Sequence, residues 1–250
     1  MKRNFWNFKS ICILLILILL NLSSSSFAGT GYMNNFESNI LGLTGYDITQ
    51  TNATSTISST QAHSGTYSLK NDVTVNDGFS AISLYGAANF SDSIYVRFWI
   101  LFDSTFIANM DVNADSMDVF HFTDSGYGVV WYVGIDYDGA DIGFWIDTDD
   151  GSDYDMGTVV ADTWYCVEVY CDQDAANGTI TCWINGVQEY TSSTVATGDA
   201  GWYFRIGSAN WSTADVTGAF YIDDIVVDTK YIGTGYRIQE GVAVGSCPYF

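Results

Sequence analysis

The stretch "SIYVRFWILFD", residues 93–103, decides the fold because its side chains alternate between two faces. Successive side chains of a β-strand point to opposite sides of a sheet, so this pattern predicts a strand with one face in the core. The predicted core face consists of Ile94, Val96, Phe98, Ile100 and Phe102. The opposite face consists of Tyr95, Arg97, Trp99 and Leu101.

Similar alternation recurs along most of the chain, broken by short runs of Gly, Asp, Asn and Ser that are typical of turns. Further strands are predicted within 63–70, 78–85, 116–124, 127–139, 141–151, 163–172, 179–190, 201–207 and 219–227. The Thr/Ser-rich stretch 49–61 is interpreted as a polar edge strand with loops. We find no amphipathic helix after residue 28. The predicted fold class is therefore all-β, an antiparallel β-sandwich or jelly roll.

The first 28 residues have the pattern of a secretory signal peptide. A basic start with Lys2, Arg3 and Lys9 precedes the short apolar run "ICILLILILL". Ser26 and Ala28 are the small residues expected before a cut at Gly29. An uncleaved N-terminal anchor is the alternative. We therefore expect residues 29–250 to form a single secreted domain, extracellular or periplasmic, that acts as a monomer.

The chain is strongly acidic, with a formal net charge of −21 at pH 7. This charge argues against nucleic acids and anionic membranes as partners, because both would be repelled. It also supplies many carboxylate oxygens, which are the ligands that calcium prefers. The predicted partner is instead a polysaccharide or another glycan.

Four cysteines follow the signal segment, an even number that suggests disulfides in an exported protein. Cys166 and Cys171 are too far apart along one predicted strand to bond with each other. The simplest pairing joins Cys171 to Cys182 across the next turn and leaves Cys166 for Cys247. Free buried thiols are the alternative.

The order of several short segments resembles a known fold family. These segments are "NNFESN" (34–39), "AHSGTYSLK" (62–70), "YVRFWILFDS" (95–104), "DTWYCVEVY" (162–170), "CWINGVQ" (182–188) and "FYIDDIVVDTKYIG" (220–233). Over residues 32–233 the chain is similar to the concanavalin A-like lectin/glucanase (laminin-G-like) jelly-roll domains of secreted bacterial proteins. The resemblance implies two packed sheets, a concave face that holds a saccharide chain, and a structural calcium.

The same resemblance implies a set of calcium ligands. Glu37 matches an early Glu of the family's site, Asp223 or Asp224 matches a late Asp, and the backbone near Ser64–Gly65 would add carbonyl oxygens. The alternative is that one Asp faces solvent while the other accepts backbone hydrogen bonds. Because neighbouring strand residues point to opposite faces, the two Asp are not expected to form a catalytic pair. A second Asp-rich stretch, 111–118, is interpreted as a loop.

Alternation also predicts a polar and aromatic face on the strands around residues 93–151. If these strands are neighbours, one concave face would carry Arg97, Trp99, His121, Tyr132, Asp136 and Trp145. Aromatic rings would stack on sugar rings and polar groups would bind sugar hydroxyls, which predicts a carbohydrate-binding module. Trp202 and Trp211 are further candidates for a sugar contact on a loop, and Arg205 is assigned to an ion pair with aspartates.

Two alternative functions stay open. A polysaccharide lyase would use Arg97 to neutralise a uronate, His121 as base and Tyr132 as acid. A glycoside hydrolase is less favoured, because the sequence lacks an E-x-D-x-x-E pattern of paired carboxylates. A structural or adhesion module without catalysis is the other alternative.

Overall fold

Two antiparallel sheets make up nearly all of the described protein. The computed structural model describes residues 30–39, 47–74, 79–85, 93–110, 116–123, 129–148, 152–172, 178–195, 203–208 and 216–235. Within these ranges, the predicted all-β sandwich is confirmed. The predicted signal segment, the Asp-rich stretch 111–115, Trp202, Trp211 and Cys247 lie outside the described residues.

Sheet A contains eight strands. They are β1 (Thr30–Asn34), β3 (Ala53–Ser58), β4 (Ser68–Val73), β6 (Ser93–Phe102), β11 (Trp164–Asp172), β12 (Gly178–Ile184), β13 (Val187–Val195) and β15 (Gly218–Asp228). Their order is β13-β12-β11-β6-β15-β4-β3, and β1 pairs with the second half of β15. Strand β6, which contains most of the alternating stretch 93–103, therefore lies in the middle of sheet A.

Sheet B contains seven strands in the order β10-β9-β8-β7-β14-β5-β2. They are β2 (Asp47–Thr51), β5 (Phe79–Tyr85), β7 (Ser116–Thr123), β8 (Val129–Tyr137), β9 (Ile142–Thr148), β10 (Ser152–Thr158) and β14 (Tyr203–Ser208). Four of them, β7 to β10, follow one another both along the chain and across the sheet. Short hairpin connections explain that arrangement.

The hydrophobic core lies between the two sheets. All five residues of the predicted core face of β6 are buried, with at most 1% of their surface exposed. Phe120 and Phe122 on β7 and Trp131 on β8 face them from sheet B, and Phe98 stacks on Phe120 with ring centroids 6.2 Å apart. Alternation therefore correctly predicted which side chains enter the core.

The chain passes from one sheet to the other within a single residue. β2 ends at Thr51 on the edge of sheet B, and β3 begins at Ala53 on the edge of sheet A. The residue between them, Asn52, has a positive φ of 54°, a conformation that Asn tolerates better than most residues. The expected polar edge strand is thus present as two edge strands.

One short helix, α1 (Ser104–Met110), departs from the prediction that the domain has none. Asp103 caps it, because its Oδ1 accepts a hydrogen bond of 2.7 Å from the backbone N–H of Phe106. Phe106 and Met110, four residues apart, are buried on one face. Two buried residues are too few to show a helical repeat in the sequence, so the helix was not predicted. No helix in the described ranges is long and apolar enough to cross a membrane.

The predicted disulfides are not formed in the structure. Cys166, Cys171 and Cys182 are buried free thiols. In the register of β11 and β12, Cys171 lies opposite Ile180 and Cys182 lies opposite Val169, so the two thiols are diagonal rather than direct neighbours. Cys171 and Cys182 pack in the hydrophobic core, where burial raises the pKa of both thiols well above the ordinary value. The alternative of free buried thiols describes these three residues.

Candidate functional site

The predicted binding face is divided between the two sheets. Arg97 and Trp99 lie on β6, in sheet A. The other four predicted residues lie on sheet B: His121 on β7, Tyr132 and Asp136 on β8, and Trp145 on β9. Because the outer faces of a sandwich point away from each other, the prediction of one shared face is wrong. Alternation reveals the face of a strand that a residue occupies but not the sheet that the strand joins.

Arg97 anchors the chain that follows β15. Its side chain is completely buried. Nη1 donates a hydrogen bond of 3.0 Å to the carbonyl oxygen of Gly233, and Nη2 donates one of 3.3 Å to that of Asp224. Its register partner, Glu168, accepts hydrogen bonds of 2.8 and 2.9 Å from the backbone N–H groups of Ile232 and Gly233. Arg97 therefore has a structural role here and does not converge with His121 and Tyr132 as the lyase hypothesis requires.

Trp99 also has a partner on sheet A. Its ring stacks on the ring of His63, with centroids 3.6 Å apart and planes 13° apart. His63 Nδ1 lies 2.8 Å from Asp224 Oδ2, and Trp164 meets the His63 ring edge-on. One face of the Trp99 ring is therefore covered by protein.

A polar row crosses the outer face of sheet B. In register across four strands lie Arg205 on β14, His121 on β7, Tyr132 on β8 and Asp147 on β9. His121 Nε2 lies 2.6 Å from Asp118 Oδ2, and the Tyr132 hydroxyl donates a hydrogen bond of 2.5 Å to Asp147 Oδ2. His121 is only 1% exposed, so its ring is covered by its neighbours.

Sequence reasoning missed Asp118 and Arg205 as members of this face, whereas alternation along β9 places Asp147 on the same side as Trp145. Asp118 lies three residues before His121, so alternation places these two side chains on opposite faces of β7. The register shift between Asp118 and Phe120 breaks the alternation and brings Asp118 to His121. Arg205 was assigned to an ion pair, yet it lies directly beside His121 in the sheet. It was overlooked because the order of the strands, which brings β14 next to β7, is not readable from a local pattern.

A pocket of about 510 Å³ opens at one end of the same face. Two of the predicted binding residues, Asp136 and Trp145, are part of its lining. The remaining lining residues are Ser116, Tyr137, Asp138, Asp141, Gly143, Tyr154, Asp155 and Thr158. Tyr132 reaches towards this end through an edge-to-face contact with Trp145, with ring centroids 5.0 Å apart.

Two glycines leave the space for this pocket. A Cβ atom on Gly134 would lie 2.4 Å from Nε1 of Trp145, so the indole ring rests directly on the bare backbone of β8. A Cβ atom on Gly143 would lie 3.3 Å from Oδ1 of Asp155, a carboxylate oxygen that also accepts the N–H of Gly157 at 2.9 Å. Gly in a strand often marks a close approach of this kind.

The predicted calcium ligands meet around one loop. Glu37 Oε1 accepts hydrogen bonds of 2.8 and 2.7 Å from the N–H groups of Thr66 and Tyr67, and its carboxyl group lies against Gly65. Asp223 Oδ2 accepts the N–H groups of His63 and Ser64 at 2.9 and 3.2 Å. The loop therefore meets these carboxylates through its backbone N–H groups, whereas the predicted calcium site would use its carbonyl oxygens.

A β-bulge turns both aspartates towards this loop. The register of β15 with β6 shifts by one residue between Asp223 and Val226, and Asp224 has a positive φ of 48°. Asp224 Oδ1 accepts the Ser64 hydroxyl at 2.9 Å, while its Oδ2 contacts His63. The expectation that the two side chains point to opposite faces is wrong, because an extra residue in one strand breaks the alternation.

The carboxylate oxygens around the loop already accept hydrogen bonds from protein groups. No set of three or more His, Cys, Asp and Glu side chains within the described ranges is arranged to hold a metal ion. Calcium requires six to eight oxygen ligands. The donor set formed by these side chains does not supply that cage, so calcium stays a prediction at this loop.

Among the carboxyl groups around the loop, Asp223 has the most strongly shifted pKa. Burial, together with the charge of neighbouring Asp224, raises the pKa of Asp223 to about 8, although three backbone N–H groups oppose the shift. Burial likewise raises the pKa of Glu168 above its usual value. Both carboxyl groups therefore hold protons more tightly in the folded chain than in the unfolded chain.

We expect stability to fall as the pH rises from about 4 to about 8. The pKa of an Asp side chain in the unfolded chain is about 3.9, so in this window the folded state binds more protons than the unfolded state. Asp223 alone therefore lowers the free energy of unfolding by roughly 1 kcal/mol for each pH unit of increase. Urea unfolding in a chelating buffer measures the slope. Asp223→Asn should flatten it, and an unchanged slope in this variant would contradict the assignment.

The comparisons with known proteins identify a fold rather than a family. No protein-family model matches the chain, and no curated protein sequence matches it. It is similar to the solved structure of the cellulose-induced protein Cip1, with a TM-score of 0.58 and 15% identity over 81% of this chain and 99% of that one.

Two further solved structures are similar to the chain. The alginate lyase AlyC3 gives a TM-score of 0.52 and 8% identity over 65% of this chain and 75% of its own. The conserved carbohydrate esterase vb_24B_21 of Shiga toxin-encoding bacteriophage phi24B gives 0.55 and 13% over 81% and 99%. At these identities the likenesses establish the β-sandwich fold that the sequence predicted.

Proposed function

We propose that this protein binds a polysaccharide at the pocket on the outer face of sheet B and acts outside the cell. The observation that carries the proposal is the composition of the pocket, in which the Trp145 ring lies among four aspartates and two small hydroxyl residues. Aromatic rings offer apolar faces to sugar rings, and carboxylates accept hydrogen bonds from sugar hydroxyls. The signal-peptide pattern of the first 28 residues supports export.

The matched structures support a glycan partner without naming it. AlyC3 is named for acting on alginate, and the phage protein is named a carbohydrate esterase. Both share the sandwich with this chain, and one fold can carry different functions. The choice of this pocket rests on its own residues.

Binding without bond cleavage is favoured over a uronate lyase. A lyase would need His121 or Tyr132 at the substrate, yet His121 is 1% exposed with Nε2 held by Asp118. The Tyr132 hydroxyl is likewise engaged by Asp147. Arg205 is the only cation on the described polar row, while the adjoining pocket carries four aspartates that would repel a polyuronate. Incubation with uronate polymers should therefore release no unsaturated product.

Loss of the Trp145 ring should abolish most of the affinity. We expect Trp145→Ala to weaken binding at least ~10-fold in calorimetry with a panel of soluble polysaccharides, because about 1.4 kcal/mol of stacking corresponds to that factor. The matched control is Trp99→Ala, which removes the same ring from sheet A and should bind as the native protein does. Circular dichroism establishes that each variant is folded.

Each other outcome contradicts part of the proposal. Loss of binding in Trp99→Ala but not in Trp145→Ala would move the site to sheet A. Failure of the native protein to bind any polysaccharide of the panel at millimolar concentration would overturn the proposed function.

Calcium is retained as a separate proposal for the loop at 63–67. It is supported by the burial of two adjacent carboxyl groups there, of which Asp224 contacts the His63 ring while Asp223 accepts hydrogen bonds from backbone N–H groups. A bound cation would relieve the repulsion between the two carboxylates. Millimolar calcium should then raise the melting temperature relative to a chelating buffer. An unchanged melting temperature would count against the metal.

A further inference from the structure

We infer that the pocket on sheet B selects a polysaccharide carrying free amino groups, such as a polymer of glucosamine. This inference rests on the proposed function and adds the chemical class of the ligand. Four of the ten lining residues are aspartates, Asp136, Asp138, Asp141 and Asp155, and none is Lys, Arg or His. Such a lining favours a positively charged ligand over a neutral one and disfavours an acidic one.

Asp138 is held in its charged form by the turn in which it lies. The backbone N–H groups of Asp141 and Ala140 donate to its Oδ1 at 3.0 and 2.8 Å. These hydrogen bonds lower the pKa of Asp138 below its usual value. The pocket therefore carries several acidic side chains, and a bound cation reduces the repulsion between them.

The position of the carboxylates suits an organic cation rather than a metal ion. Asp136 is on β8, Asp155 is on β10 and the other two are in the turn between β8 and β9. They are spread over two strands and one turn, and no cluster of three or more acidic, His or Cys side chains in the described ranges could hold a metal. Ammonium groups repeated along a polymer match charges that are spread in this way.

The aromatic ring and two of the carboxylates adjoin one another. Asp155 lies opposite Trp145 in the pairing of β10 with β9. Its carboxylate extends over Gly143, whose partner on β8 is Asp136. A sugar ring stacked on Trp145 would place its substituents beside these two carboxylates. An ammonium substituent then forms charge-assisted hydrogen bonds, which are about twice as strong as neutral ones.

The test compares three trisaccharides of similar shape by calorimetry at physiological ionic strength. They are a glucosamine trimer, its N-acetylated counterpart and a neutral glucose trimer with the same linkage. We expect the glucosamine trimer to bind at least ~10-fold more tightly than the other two, since hydrogen bonds between charged groups are stronger than those between neutral groups. Asp155→Asn and Asp136→Asn should each remove most of this difference.

A matched control separates the pocket from the charge of the whole chain. Asp162 is exposed, lies outside the pocket and has a positive φ of 56°, a conformation that Asn also tolerates. Asp162→Asn removes one charge and should leave the preference unchanged. If it lowers the preference as much as Asp155→Asn does, non-specific attraction explains the result and the inference fails.

The outcomes also separate the inference from the function on which it rests. Equal binding of the glucosamine and N-acetylated trimers would overturn the inference and leave polysaccharide binding intact. Absence of binding by all three trimers and by every polymer of the panel would overturn the proposed function itself.

Discussion

Arg97→Ala should lower the free energy of unfolding by about 3–5 kcal/mol, the largest loss that we expect from a single charge. The guanidinium is completely buried on sheet A, where it donates to two backbone carbonyls and faces Glu168. Without it, both carbonyls lose a donor and Glu168 loses a nearby positive charge that lowers its pKa. Urea unfolding followed by tryptophan fluorescence measures the loss.

Two comparisons make the Arg97 result interpretable. Lys230→Ala removes an exposed cation from the neighbouring chain segment and should change stability by less than about 0.5 kcal/mol. Polysaccharide affinity per folded molecule should stay the same in Arg97→Ala, because the pocket lies on the other sheet. A loss of stability below about 1 kcal/mol would contradict the anchoring role, and a selective loss of affinity would return Arg97 to the binding site.

Gly218→Ala should be the most damaging substitution of a single methyl group. A Cβ atom at this position would lie 2.5 Å from the backbone nitrogen of Phe106 and 2.6 Å from its Cα, so α1 would have to move off β15. The φ of 134° adds backbone strain. Overpacking and strain together are expected to cost about 3–5 kcal/mol, measured by urea unfolding.

Gly139→Ala is the control for backbone strain alone. Gly139 has a positive φ of 95°, and nothing lies within 4 Å of the Cβ position. We expect its loss to be about 1–2 kcal/mol. Equal losses in the two variants would mean that contact with α1 contributes nothing at Gly218.

Local pattern predicted much of the fold because strand periodicity depends only on neighbouring residues. Val96 and Phe98 were correctly assigned to the core, and Tyr132 and Trp145 were correctly assigned to an outer face. Which sheet a strand joins depends on pairing between distant segments. For that reason Arg97 was grouped with His121 although their strands belong to different sheets.

The remaining errors also have local physical causes. The bulge at Asp224 adds one residue to β15 and cancels the alternation on which the opposite-face argument relied. Diagonal register prevents direct pairing of Cys171 with Cys182, and no feature of the sequence fixes that register. The pocket also depends on two glycines, Gly134 and Gly143, which have no side chain to fill the space. Glycine contributes neither to the hydrophobic pattern nor to the charge pattern, so the sequence did not indicate the pocket.

The crossing at Asn52 has a consequence for how the sandwich can move. A one-residue connection joins the edges of the two sheets at β2 and β3, so the sheets cannot separate or slide along that side without distorting the crossing. The opposite edges are β13 and β10, where Tyr190 meets Tyr154 across the gap with ring centroids 4.8 Å apart. The two sheets are therefore held together at both edges, by the crossing at Asn52 on one side and by the contact of Tyr154 with Tyr190 on the side of the pocket.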